Sequence, residues 1–207
     1  TFRIPLSIGQ KTGFYLDQRS ARARLEELSP GARVLDAFSF VGAASLSAAR
    51  GGAREVLAVD SSPLALEVAA ECAGLNGLSE RIRFERGEAF EALKSAGSSG
   101  GFDLVVCDPP KLAPTRGALK AAMRTMRKIA SLACRATRPE TGRLMLSSCS
   151  AALGLTELMR SLALGATDVN LRAVVLERLF QGPDHPVPAG FVEGQYLSTV
   201  LVEVNPP

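Results

Sequence analysis

No run of about 18 apolar residues occurs in this 207-residue chain, and its N-terminus lacks the charged-then-apolar pattern of an export signal. A soluble, cytoplasmic protein with no membrane association is therefore expected. Histidine is reduced to His185, and Cys72, Cys107, Cys134 and Cys149 show no metal-type pairing, so no metal site is expected. Also missing is a G-x-G-x-x-G turn after the first apolar run. The segment Asp36-Ala37-Phe38-Ser39-Phe40-Val41-Gly42 holds one glycine and opens on a carboxylate that would repel a pyrophosphate, which excludes a dinucleotide. Acids are scarce in one stretch. Residues 111–143 carry nine Lys or Arg against the single acid Glu140, a net +8, while the remainder has 15 basic and 20 acidic residues, a net −5. Such a segment is the footprint of a polyanion-binding face, although a solvated helix face would carry the same charges.

With 46% apolar residues the chain can bury one full core, and one domain is expected. Apolar runs end at Asp36, at Asp60 and near Arg86, and recur at Leu104-Val105-Val106 and Leu144-Met145-Leu146. Helix-period segments lie between them: Leu64, Leu66, Val68, Ala69, Cys72 and Leu75 after Pro63, with Asn76-Gly77 as a stop, then Leu119, Met123, Met126, Ile129, Ala130 and Ala133. On the second of these helices the basic residues 120, 124, 127 and 128 fall largely on the polar side. Leu155, Leu158, Met159 and Leu162 mark a further helix. The chain closes with strands over 169–176 and 196–204, flanking a turn-rich connection through Gly182-Pro183-Asp184-His185-Pro186 that is expected over the sheet edge. Repeated β-α units predict an α/β, doubly wound, mostly parallel Rossmann-like sheet with an antiparallel edge strand. Residues 95–101 read as a flexible surface loop, and the first 16 residues as a β or loop lead-in to a domain over 17–207.

Ligands of such sheets sit outside the carboxyl ends of the strands, where this chain concentrates acids. Asp36 suits a cationic ligand such as S-adenosylmethionine, with its ammonium and sulfonium; Asp60 suits a ribose diol; Glu88, in Arg86-Gly87-Glu88-Ala89-Phe90, suits an adenine amino group. Helix capping would explain Asp36 or Asp60 singly. Phe38 and Phe40 also fit core positions, and the core role is preferred for Phe40. Two further strand mouths present Asp108-Pro109-Pro110-Lys111 and Ser148-Cys149-Ser150. An acid and a thiol delivered to one crevice suggest covalent chemistry on a heterocyclic base. The inert buried thiol is accepted for Cys72, Cys107 and Cys134, with Cys107 pointing away from Asp108 along the strand.

These motifs resemble class I S-adenosylmethionine-dependent methyltransferases, and more narrowly the bacterial large-subunit ribosomal RNA cytosine-5 methyltransferase family. Gln10-Lys11-Thr12-Gly13-Phe14-Tyr15-Leu16-Asp17-Gln18-Arg19 is similar to the opening of that catalytic domain. Leu35-Asp36-Ala37-Phe38-Ser39-Phe40-Val41-Gly42 resembles its cofactor loop. Asp60-Ser61, Glu88-Ala89, the Asp108 and Cys149 motifs, Asp184-His185-Pro186 and Glu193-Gly194-Gln195-Tyr196-Leu197 follow in order. The resemblance implies a seven-stranded sheet and cofactor contacts at Phe14, Arg19, Asp36, Phe38, Gly42, Asp60, Ser61, Glu88, Ala89 and Asp108. It implies catalysis by Cys149 with Asp108. Substrate contacts are expected at Pro109, Pro110, Lys111, Ser148 and His185, and at Arg124 and Lys128 of the basic segment, on an RNA partner, either ribosomal RNA or an assembly intermediate. Members usually carry an N-terminal PUA domain, absent from this chain, which is then expected to be a catalytic part. Their Tyr-Lys-x-x-Asn corresponds to Arg127-Lys128-Ile129-Ala130-Ser131, with only the lysine kept.

The chemistry explains the residue types. Carbon 5 of cytosine attacks a methyl sulfonium only after a thiolate has added at carbon 6. Cys149 is the expected nucleophile, favoured as thiolate by a helix N-terminus beside it, and Asp108 the expected proton donor to ring nitrogen 3. Two other classes compete: an RNA guanine or adenine N-methyltransferase, which needs no cysteine and usually places an aromatic residue where Lys111 stands, and a non-catalytic module that binds RNA or cofactor. His185 is read as a loop residue or substrate contact rather than a proton carrier.

Overall fold

A computed structural model of the chain describes residues 1–5, 14–191 and 194–207. Residues 10–13 of the opening motif and Glu193 lie outside the described residues. Seven strands, β1 (Arg33–Asp36), β2 (Glu55–Asp60), β3 (Ile82–Arg86), β4 (Leu104–Cys107), β5 (Arg143–Ser148), β6 (Arg172–Phe180) and β7 (Ser198–Asn205), join in the order β3-β2-β1-β4-β5-β7-β6. β1 to β5 are mutually parallel. The antiparallel edge is made by β7, which runs against both β5 and β6, with β6 outermost.

The buried alternation along the central strands explains why both faces need helices. Val34, Leu104 and Val106 enter one apolar cluster, while Leu35, Val105 and Cys107 enter the other. α1 (Arg19–Leu28), α2 (Ala43–Arg50) and α3 (Pro63–Leu75) cover the first face. α4 (Ala89–Ser98), α5 (Leu119–Ala136) and α6 (Leu155–Thr167) cover the second. Cys107 thereby faces the α4–α6 side, and burial drives its thiol pKa well up.

Where expected and observed elements differ, packing is the cause. Residues 95–98, expected in a loop, continue α4 to Ser98. Gly97 there rests against α5, where an added Cβ would meet the Cβ of Arg135 at 3.2 Å, so close helix packing overrides weak local propensity. β6 begins at Arg172 because residues 168–170 close α6, with Asn170 at φ 56° and the Leu171 N–H returning to the Ala166 carbonyl. In the lead-in, residues 1–5 form no strand; Arg3 pairs with Glu71 of α3 at 2.7 Å.

Candidate active site

The parallel strands share one carboxyl edge, and the order reverses between β1 and β4, which splits the connecting segments apart and opens a crevice. A cavity of about 460 Å³ occupies it, within the size range of small-molecule sites. Each strand end contributes to its wall: Asp36 with Phe38, Ser39 and Phe40 after β1, Asp60 and Ser61 after β2, Glu88, Ala89 and Phe90 after β3, Asp108, Pro109 and Pro110 after β4, and Ser147 and Cys149 at β5. Acid and thiol thus meet in one cavity although 41 positions separate Asp108 from Cys149.

Asp36 is 1% exposed and accepts from the Ser45 backbone N–H at 3.1 Å and from Ser45 Oγ at 2.6 Å. Ser45 lies in the first turn of α2, so Asp36 does satisfy one orphan helix donor, as the capping alternative has it. Burial nevertheless lifts its carboxyl to about 7, with Asp108 and Asp60 pushing the same way. Asp60 accepts from the Phe40 N–H at 2.8 Å and the Ser62 N–H at 2.9 Å, while Ser62 itself caps α3. Glu88 precedes α4 without capping it and leaves an exposed carboxylate at the cavity wall.

The Asp108 carboxyl is pinned on one side only. Gln18 Nε2 donates to Oδ2 at 2.5 Å, whereas Oδ1 is out of solvent contact without a hydrogen-bond partner among the described residues. A buried acceptor of this kind needs a partner, and burial raises the group to about 6 despite the Gln18 bond. Cys149 is the one half-buried thiol of the four. The serines beside it brace its turn: Ser148 Oγ donates to the Leu153 carbonyl at 2.8 Å, and Ser150 Oγ accepts from the Ala113 N–H of the Asp108 loop at 3.3 Å. The expected helix N-terminus is not beside Cys149, since α6 begins six residues later at Leu155. Burial, then the Asp108 charge, raise the thiol to about 11, with Lys111 pulling weakly the other way. The resting form of Cys149 is therefore the thiol, which corrects the expected thiolate.

Several expected contacts fall outside the cavity. Gly42 serves the turn instead, at φ 72° and so close to α3 that an added Cβ would stand 2.9 Å from the Ala69 Cβ. Ser148 is 3% exposed, donates to the Leu153 carbonyl and does not line the cavity. Arg19 points to Asp184 at 3.4 Å. The arginine at the cavity is Arg22, because Gln18, Ala21, Arg22 and Leu25 form one face of the α1 segment, a helical spacing readable once the start of α1 is known. His185 sits in a turn closed by its N–H to the Gly182 carbonyl at 2.8 Å, as its loop role anticipates. That turn docks on the site's entry segment, where the Gly182 N–H reaches the Asp17 carbonyl at 2.9 Å. Tyr15, Gln18, Arg22, Ser39 and Phe90 are cavity residues that were not singled out from sequence, and Phe40, read there as core, lines the wall as well.

The basic segment is divided by the fold. Arg127 pairs with Asp168, Arg138 with Asp103, and Arg143 with Glu203. Lys111, Arg116, Lys120, Arg124 and Lys128 stay exposed, and none has an ion-pair partner among the described residues. The last four recur every four residues: Arg116 in the turn that leads into α5, then Lys120, Arg124 and Lys128 as a stripe down α5 with steps of about 6 Å. It starts beside the Asp108 loop, and Lys128 ends over Phe90 of the cavity wall, 5.0 Å from the ring centroid.

This sheet order, with acids instead of glycines around the crevice, defines a Rossmann-like methyltransferase. The family model for S-adenosylmethionine-dependent methyltransferases matches residues 1–191, and the chain belongs to that family. Its cofactor is accordingly S-adenosylmethionine, and the observed wall fits it: buried Asp36 for positive charge, and, among the described residues, Ser39 Oγ buried without a partner and Glu88 uncommitted at the rim. Among relatives, the ribosomal RNA large subunit methyltransferase I of Tolumonas auensis is 39% identical over 201 residues, covering 96% of this chain and 50% of that protein. Its counterpart from Erwinia tasmaniensis is 37% identical, covering 94% and 49%. The chain thus spans about half the length of these relatives. The fold recurs in SMU.776, solved in complex with SAH, at a TM-score of 0.82 and 22% identity over 94% of this chain and 51% of that one. It recurs also in Trm5b from Pyrococcus abyssi, at 0.67 and 17% over 96% and 55%. No helix among the described residues is long and apolar enough to cross a membrane, and no group of metal-binding side chains occurs among them.

Proposed function

We propose that this chain transfers a methyl group to carbon 5 of a cytosine in large-subunit ribosomal RNA, through a covalent adduct on Cys149. The observation that carries this reading is the pairing of a half-buried thiol with a buried carboxyl that has one oxygen unsatisfied among the described residues, at neighbouring strand ends of one cavity. The names of its relatives support ribosomal RNA as substrate. S-adenosylmethionine supplies an electrophilic methyl group on a sulfonium.

The residues of the chain do the rest. Asp36 and Glu88 hold the cofactor's positive and amino groups, and Asp60 and Ser61 its ribose. Cys149 Sγ bonds to carbon 6 of the base as its proton passes to Asp108 and on to ring nitrogen 3, which leaves carbon 5 electron-rich. After methyl transfer the carbon 5 proton passes to water, the carbon 6–sulfur bond breaks, and the proton on ring nitrogen 3 returns to the departing sulfur through Asp108, which restores both the ring and the thiol. Pro109 and Pro110 lack N–H groups and stiffen the loop that presents Asp108. Nucleoside mass spectrometry of unmodified large-subunit RNA, incubated with the protein and S-adenosylmethionine, tests the reading. New 5-methylcytidine supports it, and a methylated purine in its place overturns it in favour of N-methylation.

Two further results are expected. If the cofactor binds the ionised form of Asp36, the ionised fraction grows from about a tenth at pH 6 to about nine tenths at pH 8, given a carboxyl near 7. The affinity for S-adenosylhomocysteine, whose ammonium stays protonated there, then rises about tenfold over that range. Calorimetry should show this for the native chain and a flat profile for Asp36→Asn. The same shift has the opposite sign for the unliganded fold: its raised carboxyl stabilises below the ordinary value, and that stability is lost as pH rises through about 7. In the second experiment, Arg124→Glu with Lys128→Glu weakens RNA binding and flattens its dependence on salt by about two charges, while cofactor affinity is kept. Unchanged RNA affinity would make the stripe an ordinary solvated face.

A further inference from the structure

We propose that Tyr15 is the platform on which the acceptor base stacks, facing the Asp108-Pro109-Pro110 loop across the cavity. The proposal rests on the reading that the chain methylates a base in RNA. A base drawn out of a strand loses its stacking partners, and an aromatic ring in the site restores one. The Asp108 loop brings no ring of its own, since Lys111 follows the two prolines and lies outside the cavity.

Five aromatic side chains line that cavity: Phe14, Tyr15, Phe38, Phe40 and Phe90. Phe14 carries Arg22 over its face at 5.0 Å and Phe2 at 4.7 Å, Phe90 lies under Lys128, and Phe38 packs into the core. Tyr15 alone of the five is exposed, at 42%, beside the reacting groups. Its phenol is held up from the ordinary value by burial and then by the charges of Cys149 and Asp108, which places both within electrostatic reach.

The ring is also braced. Arg22 Nη1 donates to the Tyr15 carbonyl at 2.6 Å. Phe40 leans on it with centroids 5.8 Å apart and planes at 60°. Phe40 itself occupies the left-handed backbone region, φ 48°, which a bulky residue adopts only when held there, and the Asp60 carboxylate holds its N–H. Strain at the β1–α2 turn thus sets the Phe40 ring against Tyr15, and Asp60 ties the base platform to the cofactor strand.

Steady-state methylation by Tyr15→Ala and Tyr15→Phe tests the proposal, with S-adenosylhomocysteine affinity measured alongside. Alanine is expected to raise KM for RNA at least about tenfold, phenylalanine to restore it to within about threefold, and cofactor affinity to hold in both. Unchanged KM in Tyr15→Ala, a parallel loss of cofactor affinity, or equal damage by phenylalanine would overturn it. Absence of product from the native protein would sink the functional reading instead, and a turnover-free readout then decides the platform. The chain has no tryptophan and two tyrosines, and Tyr196 is tied through its hydroxyl to Asp17 at 2.6 Å. A cytidine-containing single strand added to the S-adenosylhomocysteine complex should quench the emission that Tyr15→Phe lacks; unquenched Tyr15 emission overturns the proposal.

Discussion

Cys149→Ala should yield no 5-methylcytidine from large-subunit RNA while binding S-adenosylhomocysteine as the native chain does. Loss of a nucleophile removes the whole covalent route, and carbon 5 of an unmodified cytosine is too poor a nucleophile for a residual direct attack to be measurable. The substitution is small and local. Cys149 is half-buried, and its turn is fixed by Ser148 and Ser150, not by its own sulfur. Folding should therefore be preserved, which the retained cofactor affinity verifies. RNA carrying 5-fluorocytidine sharpens the result, because fluorine cannot leave as a cation and the adduct persists. Native protein should form a complex stable to denaturing electrophoresis, and Cys149→Ala none. Methylation that survives in the alanine variant would refute covalent catalysis. Cys107 cannot substitute, since it faces the other side of the sheet and is fully buried.

The acids of the site were legible in the sequence because parallel strands end at one edge. Asp36, Asp60 and Asp108 each close or follow an apolar run, and Glu88 comes two residues after the shorter Ile82-Arg83-Phe84-Glu85-Arg86 strand, so the alternating β-α pattern converges them on one crevice. Cys149 follows by the same logic. Features that depend on helix phase were not legible: Arg22 faces the cavity and Arg19 does not, a distinction set by where α1 starts. Charge partners were equally hidden, since Arg127 finds Asp168 41 positions away and Arg138 finds Asp103 35 positions away. Only the fold separates those paired arginines from the open stripe on α5. The state of Cys149 was hidden for a related reason: proximity to a later helix in sequence does not place its N-terminus at the sulfur, and burial, followed by the charge of Asp108, raises the thiol instead. Residues 95–98 became helix because α4 found α5 to pack on, a partner that local composition does not reveal.

Asp108→Asn should lower kcat/KM for RNA by about 10² to 10⁴, and it should also change the shape of the pH profile. Asp108 near 6 and Cys149 near 11 form an interacting pair, so between those values the site holds one proton for two groups. That singly protonated pair is the reactive form, whether written as carboxylate with thiol or as acid with thiolate. Below about pH 6 both groups are protonated, and the native rate should fall about tenfold per pH unit. Measurement at saturating cofactor keeps the titration of Asp36 out of this limb. In the asparagine variant the carboxylate that takes the thiol proton is gone, so the limb near pH 6 disappears. The thiolate must then come from the solvent equilibrium, and the rate should climb with pH instead. The midpoint of that climb lies below about 11, because the Asp108 charge no longer raises the thiol. A variant that keeps the native acid limb would remove Asp108 from the proton path and leave it a role only in holding the base.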